Sequence, residues 1–173
     1  DNLPEKMEPI AFITIEDHIR DDAIDTINWF KNNGVDIKII SGDNPVTVAN
    51  IAKKVGVEKA DKFISLEGIA IDNLDTIADN YTVFGRVSPE QKYALIKALK
   101  AKGKVVAMTG DGVNDTLALK EADCSIAMAS GSEASRNVAQ LVLVESNFAC
   151  MPKIVKEGRR VINNVTEVAS LFL

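Results

Sequence analysis

The apolar positions of this chain switch repeatedly between the alternation of a strand and the stripe of a helix, and that switching is its strongest fold signal. "IAFITI" reads as a strand, and "RDDAIDTINWFKNNG" as a helix with Ile24, Ile27 and Phe30 on one face and Gly34 as its stop. "VDIKIIS" is a second strand, and "NPVTVANIAKKVG" a second helix, with Asn44 as N-cap and Pro45 at the first helical position. Two short strands, "KFIS" and "TVFGRV", flank a polar stretch from Glu67 to Asn80. Ser88 and Pro89 open a helix through "SPEQKYALIKALKAKG". Then come strand "KVVAMTG", helix "VNDTLALKEA", strand "CSIAM", a helix near "SEASRNVA" and a last strand, "LVLVE". This order predicts an α/β fold: a Rossmann-like three-layer sandwich with right-handed crossovers and a mostly parallel sheet between helices. Ligands of such folds collect at the C-terminal ends of the strands, which puts "SGDN", "RVSPEQK" and "TGDGVND" on one rim.

From Phe148 the pattern changes. Phe148, Met151, Val155, Ile162, Val165, Ala169 and Phe172 keep helical spacing to the end, predicting one helix over 148–173, about 39 Å long. That exceeds an ordinary domain helix, so the chain divides into an α/β domain over 1–147 and a long helix over 148–173. Lys153, Lys156, Arg159 and Arg160 charge the middle of this helix, as a solvated face or near lipid headgroups. The chain starts at Asp1 without an initiator methionine and stops in the apolar run "VASLFL", so both ends read as cut. A membrane span needs about 20 apolar residues. No window supplies them, and the final run reads as the first turns of one.

Composition narrows the class. A chain of 173 residues with 46% hydrophobic positions can build one compact domain. A net charge of −5 argues against a nucleic-acid binder, which would carry a basic stripe for phosphates. Cys124 and Cys150, with His18 as the single histidine, assemble neither a disulfide framework nor a zinc site, which points to a reducing compartment. His18, among the charges of "EDHIRDD", reads as an exposed or helix-entry residue.

The three rim segments carry the chemistry. In "SGDN" a hydroxyl and a glycine precede a helix N-terminus, so Ser41 Oγ and the Gly42 N–H are placed to donate to a phosphate oxygen. Taken alone, a plain strand-to-helix turn accounts for it equally. Lys92 lies one turn into its helix and can reach back over the rim to neutralise phosphate charge, although by itself it is also an ordinary surface lysine. In "TGDGVND", Asp111 and Asp115 crowd one turn that Gly110 and Gly112 make possible, and like charges so close need a cation or donors to offset them. Mg²⁺ suits such a place, because it takes one or two carboxylates together with phosphate and water. Asn114 adds a side-chain donor, and Asp115 is equally a plain helix-start acid. Hydroxyl, lysine and acid on one rim suit phosphoryl transfer, in which positioning and charge neutralisation carry the catalysis.

In this order and spacing, "SGDN", "RVSPEQK" and "TGDGVND" resemble the later motifs of haloacid dehalogenase-like enzymes. More narrowly they resemble the phosphorylation domain of P-type cation-transporting ATPases, a likeness running from "FITIEDHIRDDA" to the long C-terminal helix and most specific at "MTGDGVNDTLAL". It implies ATP-dependent phosphorylation of an aspartate in a "DKTGT" segment, hydrolysis of the aspartyl phosphate and coupling to cation transport, with Mg²⁺ and ATP as cofactors. By the same resemblance Ser41, where threonine is commoner, and Gly42 contact the phosphoryl group, and Asp43 lies near the nucleotide. Lys92 compensates phosphate charge, Asp111 binds Mg²⁺, Asn114 hydrogen-bonds phosphoryl oxygens, and Asp115 holds loop and lysine in place. "IEDHIRDDA" departs from the family's usual "DP" at His18, on the hinge side.

The resemblance also implies partners: the rest of the same polypeptide, with its nucleophile segment, nucleotide-binding domain and membrane domain. The location implied is the cytoplasmic side of an integral protein of the plasma membrane. "ESNFACMPKIVKEGRRVINNV" resembles the stalk helix of calcium-type pumps more than that of heavy-metal pumps. "DKTGT" is absent from this chain, so the chain alone is expected not to form the phosphoenzyme and to bind ATP weakly. Because the family's nucleophile strand lies between "IKIIS" and "VVAMTG", a gap is expected in the sheet centre. There another segment enters or the two strands close up. Two other readings exist: a soluble phosphatase of the same superfamily, whose "DxDxT" segment is also missing, and a non-catalytic module that binds phosphate or Mg²⁺.

Overall fold

In the computed structural model, which describes residues 10–13 and 18–172, strands and helices alternate much as the sequence pattern predicts. The strands are β1 (Ile39–Ile40), β2 (Phe63–Ser65), β3 (Val83–Gly85), β4 (Ala107–Gly110), β5 (Cys124–Met128) and β6 (Leu141–Leu143). The helices are α1 (Ala23–Asn32), α2 (Pro45–Lys54), α3 (Leu74–Ile77), α4 (Pro89–Ala101), α5 (Thr116–Glu121), α6 (Glu133–Val138) and α7 (Met151–Ser170). Local chemistry sets the helix starts. Asn44 Oδ1 accepts the Val46 N–H at 2.9 Å ahead of Pro45, which has no N–H to satisfy. Ser88 and Gln91 form a reciprocal capping box, each side chain accepting the other's main-chain N–H at 3.2 and 3.0 Å.

All strand pairings are parallel, and they form two sheets of three strands. One runs β1-β3-β2, with Ile40 opposite Phe84 and Phe63 opposite Val83; the other runs β4-β5-β6, with Met108 opposite Ser125 and Ile126 opposite Leu141. β1 and β4 face each other as unpaired edges, and among the described residues no segment hydrogen-bonds between them. The N–H groups of Ile39 and Ser41 donate to Thr82 and Phe84 on the far side, both at 2.9 Å, so the main chain of Ile40 is turned toward the gap. The expected gap therefore remains open, neither filled by a described segment nor closed by the two edges.

Helix α4 ties the halves together. Its Leu95, Ala98 and Leu99 enter a core with Leu66, Leu74, Phe84 and Val87, while Ile96 enters a second core with Met108, Ala118, Leu119 and Ala122. Ile40 packs against both cores. Each large apolar side chain buried in this way contributes roughly 2 kcal/mol, so the sheets stay adjacent without a ladder between them.

Four segments differ from the sequence pattern. Residues 10–13 of "IAFITI" have no regular structure, and Ile10 and Phe12 are almost wholly exposed; Thr14 and Ile15 lie outside the described residues. Alternation supplies the two faces of a strand but not the edge it must pair with. In α1 the stripe is covered only at Ile27 and Phe30, and Ile24 is exposed. The polar stretch contains a 3₁₀ turn, Ile71–Asn73, and α3, held by buried Leu74 with Ala78 just beyond. The C-terminal helix spans Met151–Ser170 after a separate 3₁₀ turn, Phe148–Cys150, rather than running unbroken from residue 148. Its Met151, Ile154 and Val155 pack with Phe30, Phe148, Ile126 and Leu143, whereas Val161, Ile162, Val165 and Val168 are exposed. Among the described residues no helix is long and apolar enough to cross a membrane.

Candidate functional site

A cleft of about 360 Å³ opens where β1 and β4 end. Its walls include Ser41 and Gly42 on the β1 side and Gly110, Asp111 and Asp115 on the β4 side, with Lys92 of α4 reaching in. Parallel strands put their C-terminal ends on one rim, so residues far apart in sequence meet here. The unpaired edges make it a slot as well as a rim.

On the β1 side the main chain of the turn is tied to Phe84, Arg86 and Val87, while its side chains bond only locally. Ser41 Oγ accepts the Asp43 N–H at 3.1 Å and donates to Asp43 Oδ2 at 3.2 Å, so its hydroxyl is occupied locally by an exposed carboxylate. Gly42 is exposed, and a Cβ built on it would meet nothing within 4 Å. Behind this turn Gly85 is necessary: a Cβ there would lie 2.5 Å from Pro45 N, at the start of α2. Asp43 is outside the cleft lining, although its carbonyl accepts the Arg86 N–H at 2.9 Å.

On the β4 side the turn is braced. Asp115 is buried, and its Oδ1 pairs with Lys92 Nζ at 2.7 Å while its Oδ2 accepts the Gly112 N–H at 3.1 Å. Gly110 lies so close that a Cβ on it would approach Asp115 Cβ to 2.6 Å. The charge crowding of "TGDGVND" is thus relieved by Lys92, which neutralises Asp115 and leaves Asp111 apart. Asp111 is exposed, and its carboxylate has no hydrogen bond or ion pair among the described residues. Asn114 is exposed in the turn Val113–Asp115 and does not line the cleft. No group of three or more His, Cys, Asp or Glu that could hold a metal by itself occurs among the described residues. One free carboxylate on a strand-end rim fits Mg²⁺, which draws its other ligands from phosphate, water and a further acid.

Sequence reasoning missed two supporting groups. Gln91 Nε2 donates to the carbonyls of Leu66 and Ile69 at 2.9 and 2.8 Å, fastening the start of α4, and therefore Lys92, to the loop after β2. The Ser-x-x-Gln spacing from Ser88 was the available signal. The turn after β5 also closes on Asp111, with the Ser132 N–H donating to its carbonyl at 2.7 Å. No local pattern announces that contact.

Comparison with known proteins places this geometry in a class. Residues 2–123 match the haloacid dehalogenase-like hydrolase family, and the chain belongs to it. Its relatives are cation-transporting ATPases. Over 170 residues, 98% of this chain, it is 47% identical to the probable cation-transporting ATPase exp7 of Streptococcus pneumoniae and to the calcium-transporting ATPase CtpE of Mycobacterium bovis. The chain spans only 22% and 21% of the lengths of those two proteins. Among solved structures, the catalytic domain of the CPx-ATPase CopB-B matches with a TM-score of 0.62 and 31% identity, over 79% of this chain and 45% of that one. A zinc-transporting PIB-type ATPase in its E2.Pi state matches with a TM-score of 0.69 and 26% identity, over 88% of this chain and 21% of that one. The resemblance read from the motifs is therefore the family assignment that sequence and fold both support.

Proposed function

We propose that this chain is the catalytic phosphorylation portion of an ATP-driven cation pump, that residues 1–147 are its phosphoryl-transfer domain, and that residues 148–173 lead toward a membrane domain. The observation that carries the reading is the cleft between two unpaired parallel edges, with Ser41 and Gly42 on one wall and Asp111 and the braced Asp115 on the other. In this reading the nucleophilic aspartate arrives on a strand from another part of the polypeptide and completes the sheet. Ser41 and the Gly42 N–H orient the phosphoryl oxygens, and Lys92, held by Asp115, offsets their charge without turning away. Asp111 holds Mg²⁺, which supplies further charge neutralisation when bound. Asn114 turns in to hydrogen-bond the phosphoryl group, and Asp43 meets the nucleotide. The location that follows is the cytoplasmic face of a membrane, where ATP is available.

Labelled ATP with Mg²⁺ tests it. This chain alone should incorporate no phosphate, and its ATP binding by calorimetry should be weaker than micromolar. A longer polypeptide carrying "DKTGT" ahead of this sequence should form a hydroxylamine-sensitive phosphoenzyme that Asp111→Asn or Lys92→Ala abolishes. Stable, hydroxylamine-sensitive incorporation into the chain alone would overturn the assignment of the nucleophile to another segment.

A further inference from the structure

The acid wall of the cleft leans on an element with no part in the reading above, the turn Ala129–Ser132 between β5 and α6. The Asp111 carbonyl accepts the Ser132 N–H at 2.7 Å; the hydroxyl of wholly buried Ser135 lies 3.1 Å from it and 2.8 Å from the Ser132 carbonyl, with one proton to share between them. At the other end of the same peptide unit, the Gly112 N–H donates to Asp115 Oδ2 at 3.1 Å. The peptide plane joining Asp111 to Gly112 is therefore held from both sides, by the Ser132 turn and by the Lys92–Asp115 pair. The Asp111 carboxylate has no partner among the described residues, so what fixes the origin and direction of its Cα–Cβ bond is this main chain.

Two residues make the approach of the turn possible. A Cβ on Gly131 would lie 2.8 Å from the Asp111 carbonyl oxygen and 3.0 Å from its Cα, so no other residue fits without moving Asp111. Arg136 closes the turn: its Nη1 donates to the carbonyls of Ala129 at 2.7 Å and Gly131 at 2.9 Å. Among the described residues this guanidinium pairs with no carboxylate; it is spent on the main chain of its own turn. It does not line the cleft, and its hydrogen bonds go to the turn.

We propose that the Ala129–Ser132 turn, stapled by Arg136, positions the Asp111 carboxylate for a divalent cation, with Arg136 and Gly131 as positioning residues. This rests on the reading that Asp111 is a metal ligand, and the test separates the two. Mn²⁺ stands in for Mg²⁺, and its binding, with a phosphate mimic present, to the longer polypeptide that carries "DKTGT" ahead of this sequence is followed by water-proton relaxation, with thermal unfolding of each variant measured alongside. Arg136→Gln and Gly131→Ala should each weaken Mn²⁺ binding about tenfold, as losses in the supporting shell of a metal site do. Arg136→Lys should restore it, because a single nitrogen makes both contacts and an ammonium can do the same. Asp111→Asn should abolish binding.

Should Arg136→Gln and Gly131→Ala bind Mn²⁺ like the unsubstituted chain while Asp111→Asn loses it, the staple is refuted and the metal reading survives. A lysine that restores nothing in a folded Arg136→Lys chain also counts against the staple. Unchanged binding in Asp111→Asn removes the metal reading and this inference with it. If one of the two loosening variants does not fold, the other decides.

Discussion

Two strand-to-helix turns share the rim of the cleft, and they are built on opposite principles. The turn after β1, Ser41 to Asn44, is tied to the end of β3 by its main chain, but its side chains bond only locally, and its Gly42 has open space where a side chain would go. The turn after β4, Gly110 to Asp115, is braced by Lys92 from α4 and by Ser132 from the β5–α6 turn, and its Gly110 has Asp115 where a side chain would go. The same residue type thus does two jobs. At Gly42 the missing side chain leaves room for a ligand; at Gly110 it leaves room for the protein. The roles proposed for the two walls match this difference: the one assigned to a phosphoryl group keeps open space at its glycine, and the one assigned to a metal-binding carboxylate is cross-tied through side chains.

The sharpest way to break this comparison is to place one methyl at each glycine. Gly110→Ala drives a Cβ to 2.6 Å from Asp115 Cβ and 2.9 Å from its carboxylate, against a residue that is itself buried and paired. Backbone or Asp115 must shift, and the Lys92 contact goes with it. Overpacking of this kind together with a lost half-buried pair should cost about 3 kcal/mol, read by urea denaturation. A loss within about 0.5 kcal/mol, the range of indifferent surface changes, would mean that the turn has as much room as its neighbour.

Next in size is the ion pair. Asp115→Asn keeps the shape but leaves Lys92, only 15% of whose side chain is exposed, without its counter-charge. The cost should be about 2 kcal/mol, below that of a fully buried pair because part of Lys92 still meets water. Asp43→Asn on the other turn should change stability by less than about 0.5 kcal/mol, since Asp43 is exposed and Ser41 keeps an acceptor. Equal losses at the two positions would erase the distinction between the turns.

What the sequence makes legible follows the same division between local and distant causes. The caps at Asn44 and Ser88 and the strand "CSIAM" are visible because each is set by residues within a few positions. Asp111 and Asp115 stand out because two acids among glycines in so short a turn require a reason. Their division of labour came only from the family resemblance and not from the turn itself, because it depends on Lys92, which is 23 positions from Asp115. The "IAFITI" pattern misleads for a related reason: Ile10 and Phe12 alternate as a strand should, yet the described residues offer them no edge. Leu74 and Ala78 were hidden among the scattered apolar positions of a largely polar stretch, and they matter only because Phe84 and Leu95 pack in the same core. Gly131 and Arg136 gave no signal, since nothing in "SGSEASR" names Asp111 as its neighbour.

A smaller loss is expected where the turn after β1 joins its helix. Asn44→Ala removes the acceptor for the Val46 N–H at the start of α2 and should cost about 1 kcal/mol. Asn44→Asp restores an acceptor there and should recover most of it, a pattern that thermal unfolding of the two variants can check.

The smallest expected change is the most discriminating. Gly42→Ala puts the same methyl as Gly110→Ala on the same rim, but at a residue with nothing within 4 Å and no left-handed backbone to strain. Its stability should stay within about 0.5 kcal/mol of the unsubstituted chain. Its effect should appear only with a ligand, because the methyl sits where main chain and anion need to come close. Phosphate or a phosphate mimic should bind more weakly to Gly42→Ala at unchanged unfolding, whereas Gly110→Ala should lose stability before any ligand is added. If Gly42→Ala instead unfolds as readily as Gly110→Ala, the space at Gly42 is structural. The phosphate wall of the cleft would then have to be sought elsewhere on the rim.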